Sequence, residues 1–139
     1  MNTNYIYELE MQVRDYECDI QGIVNNANYQ HYLEHTRHQF LTAHNLSFAE
    51  LHCRGIDAVV ARVEIQYKNS LRPDDVFISK LNVEKQGVKY VFNQVICKKA
   101  DNTLCIKAKI ETVVIIDGKL SKGIEDFDRL TVSKIASNF

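Results

Sequence analysis

The sequence predicts an α+β domain in which a curved antiparallel sheet wraps around one long helix. Three observations carry that prediction. A stretch of strict period-two alternation precedes the only long helical pattern, and four further strand-like stretches follow it with no helix between them. The loops joining those strands are too short for the crossovers a parallel sheet needs, so neighbouring strands run antiparallel.

The first strand places Tyr5, Tyr7, Leu9, Met11 and Val13 on one side and Glu8, Glu10, Gln12 and Arg14 on the other, the pattern of a half-buried strand. The period changes from Asn28 to His44, where Tyr29, Leu33, Thr36, Phe40 and Ala43 recur at steps of three or four and give one apolar helical face. Ser47 with Glu50 three residues later makes a capping-box pattern, and Gly55 suits a helix C-terminal cap, so a short helical connector is expected between them. Alternation then resumes, with Val59, Ala61, Val63, Ile65 and Tyr67 set against Val60, Arg62, Glu64, Gln66 and Lys68. Three strands follow, at about Val76 to Lys85, Val88 to Lys98 and Thr103 to Ile116. Gln86-Gly87, Ala100-Asp101-Asn102 and Asp117-Gly118 supply the turns. Pro73, in SLRPDD between strands, removes no ladder hydrogen bond. The last twenty or so residues give no clear pattern. A small domain of this kind leaves sheet edges open, and pairing with a second copy would protect them, so self-association as a homodimer or homotetramer is expected.

Composition narrows the classes of function. The chain has 139 residues, of which 45% are hydrophobic and 25% charged, enough for one domain with a buried core. Its formal charge is −1 and the ionic residues are dispersed, which argues against nucleic acid or an anionic membrane surface as partner. No stretch approaches the roughly 20 apolar residues of a membrane span, and the first residues lack a secretory pattern, so a cytoplasmic location is expected. Cys18, Cys53, Cys97 and Cys105 have neither zinc-ribbon nor redox-motif spacing and read as free thiols. A Cys97–Cys105 bridge would need an oxidising compartment, for which the sequence carries no signal.

The segment YECDIQGIVNNANY, Tyr16 to Tyr29, followed by LEHTR, Leu33 to Arg37, resembles the hotdog-fold acyl-CoA thioesterases. The likeness is to the 4-hydroxybenzoyl-CoA thioesterase branch and its short-chain acyl-CoA relatives associated with the Tol-Pal cluster. VEIQYKNSLRPDD, Val63 to Asp75, resembles the strand and turn after the family's connector, and the likeness extends to about Ile116. Asp19, Gly22, Val24, Asn28 and Tyr29 fall at the family's offsets, as do Glu34 and Arg37. One departure is that Asn25 and Asn26 stand where relatives often carry an aromatic residue and a histidine or tyrosine.

The resemblance implies a single hotdog thioesterase domain over residues 1–139, acting on an acyl-CoA substrate without metal or organic cofactor, at a cleft between subunits. It implies that Asp19 is the nucleophile or general base and that the backbone N–H of Asn26 polarises the thioester carbonyl. Gly22 would allow close backbone approach, with Val24, Asn25 and Tyr29 beside the substrate and Lys68, Arg72 and Lys89 available to the phosphates of coenzyme A. The chemistry is economical: a thiolate leaves readily, so one carboxylate and the positive end of a helix can suffice. Each residue also has an ordinary reading. Asp19 could close an Asx turn, Asn25 or Asn26 could cap the helix, Glu34 and Arg37 could form a surface pair, and the three basic residues could be solvated charges.

Two rival chemistries use the same stretch. HYLEH, His31 to His35, fits the H-x-x-E-H pattern of inverted zinc peptidases, with Glu64 or Glu111 as a conceivable third ligand. Cys18 beside Asp19 offers a thiol nucleophile, but no histidine is evidently fixed next to it. A non-hydrolytic acyl-thioester-binding or dehydratase-like hotdog protein is the alternative within the same architecture.

Overall fold

The computed structural model describes residues 4–132. In chain order the elements are β1 (Tyr7–Gln12), a single 3-10 turn (Asp15–Glu17), α1 (Asn26–Ala43), α2 (Phe48–Cys53), β2 (Ile56–Tyr67), β3 (Val76–Gln86), β4 (Lys89–Lys98), β5 (Leu104–Ile116), β6 (Lys119–Leu120) and α3 (Glu125–Asp128). One antiparallel sheet holds the strands in the order β1-β3-β4-β5-β2, with β6 paired to the end of β5. The architecture is the α+β sheet-around-helix arrangement that the sequence predicts.

The turns follow from backbone chemistry. Asp117 and Gly118 both have positive φ, at 49° and 82°, the geometry of the two-residue hairpin that their identities favour. Ser47 caps α2 by accepting a hydrogen bond from the Glu50 N–H at 3.0 Å, and Gly55 ends the connector at φ 78°. Of the ambiguous tail, β6 and α3 lie within the described residues and residues 133–139 lie outside them.

The sheet curls because one helix must cover its concave face. Four inter-strand spacings of about 4.8 Å separate the two edge strands, whereas a helix with its side chains is only about 10–12 Å across. Yet α1 touches both edges: Phe40 meets Tyr7 of β1 with ring centroids 5.6 Å apart, and Tyr29 meets Tyr67 of β2 at 5.8 Å. Tyr32 packs on Phe77 of β3 at 4.8 Å between them. The buried face comprises Tyr29, Tyr32, Leu33, Thr36, Arg37, Phe40 and Leu41. Ala43, expected on that face, is exposed.

Polar groups inside this core are paired. Thr36 and Ser79 share a hydroxyl hydrogen bond at 2.7 Å, and the Tyr29 hydroxyl accepts from the Leu71 N–H at 2.9 Å. Arg37 donates to Gln94 Oε1 at 2.9 Å, and the Gln94 amide donates to the Leu33 carbonyl at 3.1 Å. Burial holds the Arg37 guanidinium down to about 10, below its ordinary range, and the nearby Glu34 charge opposes that effect.

β2 departs from simple alternation. Its pairing with β5 shifts register between Val60 and Arg62, so Val60 and Val63 line the same hollow on the helix side of the sheet. Val59, Val60, Val63 and Tyr67 remain exposed along this edge strand. All four cysteines are free thiols.

Leu33, with no exposed surface, sits at the centre of the helix–sheet contact. Leu33→Ala is expected to lower unfolding stability by about 2–5 kcal/mol, the range for a leucine deleted from a packed core. Urea unfolding at fixed protein concentration checks this, with the far-UV circular dichroism spectrum unchanged before the transition.

Candidate active site

The helix N-terminus is anchored by Glu17, a residue that sequence reasoning did not single out. The Glu17 carbonyl accepts from the Asn25 N–H at 3.1 Å and from the Asn28 side-chain amide at 2.8 Å. Its carboxylate accepts from the Arg14 N–H at 2.8 Å and from the Tyr32 hydroxyl at 2.9 Å. Burial, and then the hydrogen bond to Glu17, push the Tyr32 phenol well above its usual range, so it stays a neutral donor. The only signal in the sequence is the spacing of Tyr32 and Asn28 on the helix, which cannot be interpreted without knowing how the chain returns.

The intervening loop brings Asp19 back toward that anchor. Cys18 and Val24 form an isolated antiparallel bridge, and the Asp19 N–H donates to the Ile23 carbonyl at 2.8 Å. The Gly22 N–H donates to the Asp19 carbonyl at 2.9 Å, and Asp19 Oδ1 accepts from the Gln21 N–H at 2.8 Å. Asp19 therefore closes the Asx turn of its ordinary reading with one oxygen. Its other oxygen, Oδ2, has no hydrogen bond to any described residue. The Gly22 φ of 75° places it in the left-handed region, and a Cβ built there would meet nothing within 4 Å. Backbone conformation alone therefore favours glycine here, and no group of this chain crowds the position.

Asn25 is the N-cap, its side-chain oxygen accepting from the Ala27 N–H at 2.9 Å, while its carbonyl accepts from the Asn28 N–H. The Asn26 N–H, first in the helix, has no partner among the described residues and Asn26 is exposed, as the helix start dictates. Val24 and Tyr29 are each only 2% exposed and lie in the core, so they buttress this corner and offer no surface to a ligand. Within one chain both act as packing residues of the helix corner.

The basic candidates separate. Lys68 and Arg72 are exposed at the end of the sheet that carries Asp19, where the Val24 N–H reaches the Leu71 carbonyl at 2.9 Å. Lys89 begins β4 at the opposite end, opposite Val113 of β5, and pairs with Glu111 at 3.2 Å. Within one chain it is not brought to Asp19. Glu111 is a buried carboxylate on the outer face, with Arg62 3.7 Å from an Oε2 that accepts no hydrogen bond.

Among the described residues no group of three or more His, Cys, Asp or Glu side chains is placed to hold a metal ion. His31 and His35 face a groove with Tyr32, Glu17 and Asp74, whereas Glu34 instead pairs with His38 at 3.7 Å. Cys18 donates weakly to the Arg14 carbonyl, and burial followed by the neighbouring acids pushes its thiol up, away from an activated thiolate. No helix of the described residues is long and apolar enough to cross a membrane.

An apolar cavity of about 130 Å³ lies farther along α1, walled by Phe40, Leu41, Phe48, Phe92, Phe127 and Leu130 among others. Its walls do not include Asp19 or Asn26. It meets a second hollow at Glu34, Arg37 and Val60, and that hollow extends back to Gln30, one helical turn beyond Asn26.

Comparison with known proteins agrees with the fold. Residues 13–128 match the thioesterase-like superfamily. An acyl-acyl carrier protein thioesterase of Arabidopsis thaliana, ATL3, is 31% identical over 104 residues, which is 74% of this chain and 55% of the plant protein. The chain thus spans little more than half of that relative's length. An acyl-CoA thioester hydrolase of Escherichia coli, YbgC, is 28% identical over 116 residues, covering 83% of this chain and 85% of the relative. Among solved structures, a 1,4-dihydroxy-2-naphthoyl-CoA thioesterase from Synechocystis superposes with a TM-score of 0.83 at 15% identity, covering 89% of this chain and 93% of that one. That likeness concerns the hotdog fold alone. With more than four-fifths of its length inside the family match and the sheet wrapped around α1 as described, the chain belongs to the thioesterase-like superfamily.

Proposed function

We propose that the chain hydrolyses an acyl thioester, releasing a free acid and a thiol, with Asp19 as nucleophile or general base. The observation that carries this reading is the corner held by Glu17: a carboxylate oxygen and a helix N–H, neither with a partner among the described residues, are presented on adjoining backbone. As general base, Asp19 takes a proton from water while the water oxygen attacks the thioester carbonyl. As nucleophile, it attacks that carbonyl itself and forms an anhydride that water then opens. In both routes the Asn26 N–H and the positive end of α1 stabilise the oxygen as it gains charge, and the thiolate leaves. Neither route calls on a metal or an organic cofactor.

The names of the relatives cover both coenzyme A and carrier-protein thioesters, and the chemistry common to them is the thioester itself. We favour an acyl-CoA substrate and a place in the 4-hydroxybenzoyl-CoA thioesterase branch, near its short-chain members. The Tyr16 to Tyr29 motif supports this, as does the similarity to an acyl-CoA thioester hydrolase along most of its length. Lys68 and Arg72, exposed on the Asp19 side, are the candidates for the coenzyme phosphates.

The working unit we propose is a dimer formed along β2. This strand spans 12 residues, has one unpaired edge, and exposes Val59, Val60, Val63 and Tyr67. Antiparallel pairing of two such edges bonds the free backbone groups and covers the valines. It also carries the Lys89 end of one copy toward the Asp19 end of the other. That would complete a cleft over Asp19, which a single chain leaves half-exposed.

Asp19→Asn is expected to keep the fold and substrate binding while lowering turnover about 10²- to 10⁴-fold, the usual contribution of a positioned acid–base group. Thiol release from a panel of acyl-CoA and acyl carrier protein thioesters reads it. Near-wild-type turnover in a folded variant removes Asp19 from its role, and thiol release from no member of the panel favours a binding protein. Val63→Lys is expected to shift the protein from dimer to monomer in sedimentation velocity, with turnover falling alongside. A monomeric wild-type protein with full activity rejects the shared cleft.

A further inference from the structure

The C-terminal segment of the described chain folds back over the sheet at the end farthest from Asp19. α3 lies within it, and Phe127 and Leu130, each 7% exposed, project from the segment to form one wall of the apolar cavity. Helices this short do not hold themselves in place. A polar clasp does so. Tyr90 of β4 donates its hydroxyl to Asp128 and accepts from the Ile124 N–H at 2.9 Å. Lys85 of β3 donates to the Lys122 carbonyl at 2.6 Å, to Asp128 Oδ1 at 3.3 Å and to the Tyr90 hydroxyl at 3.1 Å. The Tyr90 ring also packs edge-on against Phe127, with centroids 5.4 Å apart. The clasp thus fixes the depth to which Phe127 enters the cavity.

The neighbouring hollow shares Glu34, Arg37 and Val60 with the cavity and extends toward the thioester end. From Asn26 the α1 surface runs past Gln30 to the shared rim at Glu34, Arg37 and Val60, about 16 Å along the helix axis at 1.5 Å per residue. The cavity lies beyond that rim, with Phe127 and Leu130 among its walls. Its volume of about 130 Å³ resembles that of engineered apolar cavities that stay dry and take up a benzene-sized guest.

We propose that Phe127 and Leu130 set the largest acyl group the enzyme accepts: the cavity receives the apolar end of the acyl chain, and the clasped C-terminal segment is its far wall. This inference rests on the thioesterase reading for the identity of the ligand. Lys85 and Asp128 are positioning residues, acting on substrate choice through Phe127.

The test is an acyl-length profile from butanoyl-CoA to hexadecanoyl-CoA, read as kcat/KM, together with calorimetric binding of the matching free fatty acids, which needs no turnover. Phe127→Ala is expected to move the fall-off in both profiles to longer chains, with at least a tenfold gain in kcat/KM for the first length that the wild-type protein rejects. Phe127→Leu and Leu130→Ala, milder changes that keep an apolar wall, are expected to shift it less and serve if Phe127→Ala does not fold. Asp128→Ala is expected to broaden the length profile, and Asp128→Asn, which keeps an acceptor oxygen, to restore it; a merely structural role would lower stability without altering length preference. Profiles of the folded Phe127 and Leu130 variants that superpose on wild type overturn the inference, as does failure of every fatty acid to bind. If fatty acids bind with a Phe127-dependent limit while no thioester is cleaved, the pocket assignment stands and the thioesterase reading fails.

Discussion

A single helix covering the concave face of a five-strand path is the constraint from which the other features descend. Because α1 must reach β1 through Phe40 and β2 through Tyr29, the sheet curls and the helix is held by rings at both edges. The helix axis is thereby fixed relative to the strands, and its N-terminus emerges at one end of the sheet with the Asn26 N–H free. Electrostatic help for a reacting carbonyl is useful only if the donor does not have to reorganise, and an 18-residue helix locked on both sides satisfies that condition.

Glu17 converts this rigidity into a site. A carboxylate near a helix N-terminus is favoured by the helix dipole, and here it is spent on Arg14 and Tyr32, so Glu17 is structural. Its backbone carbonyl, meanwhile, ties the strand before the loop to Asn25 and Asn28 after it. Asp19 lies in the loop so closed, with one oxygen bound to the Gln21 N–H and the other free. The two acids are two residues apart and have opposite fates, decided by whether a tyrosine hydroxyl comes within reach.

Much of this was legible in the sequence because it depends on local chemistry. The strand limits, the Ser47 cap, the Asp117-Gly118 turn and the helical face from Tyr29 to Phe40 each reflect interactions among residues a few positions apart. The features that the sequence does not reveal share a different cause. Tyr29 and Val24 fit the expected motif, but whether a motif residue lines a cleft or a core depends on what packs over it, and Leu71, more than forty residues on, takes the Tyr29 hydroxyl. Lys89 lies at the opposite end of the sheet from Lys68 and Arg72, because antiparallel order alternates the direction of the chain and only register assigns each charge an end. The Glu17 anchor joins groups up to 15 residues apart through a loop whose path no periodicity encodes.

The β2 bulge joins the two ends of the molecule. In a strand that kept strict alternation, Val60 and Val63 would face opposite sides. The extra residue returns both to the helix side, where Val60 contributes to the rim of the apolar cavity and Val63 to the hollow that leads toward Gln30. The same insertion leaves a run of valines on an edge strand, a surface that a lone chain in water would be expected to blunt with charge. One irregularity in the ladder thus shapes the apolar path along α1 and creates the surface that a second copy can cover. Pocket and proposed interface are therefore coupled by construction: residues on that edge touch both, and a substitution there alters the acyl path and the pairing edge together.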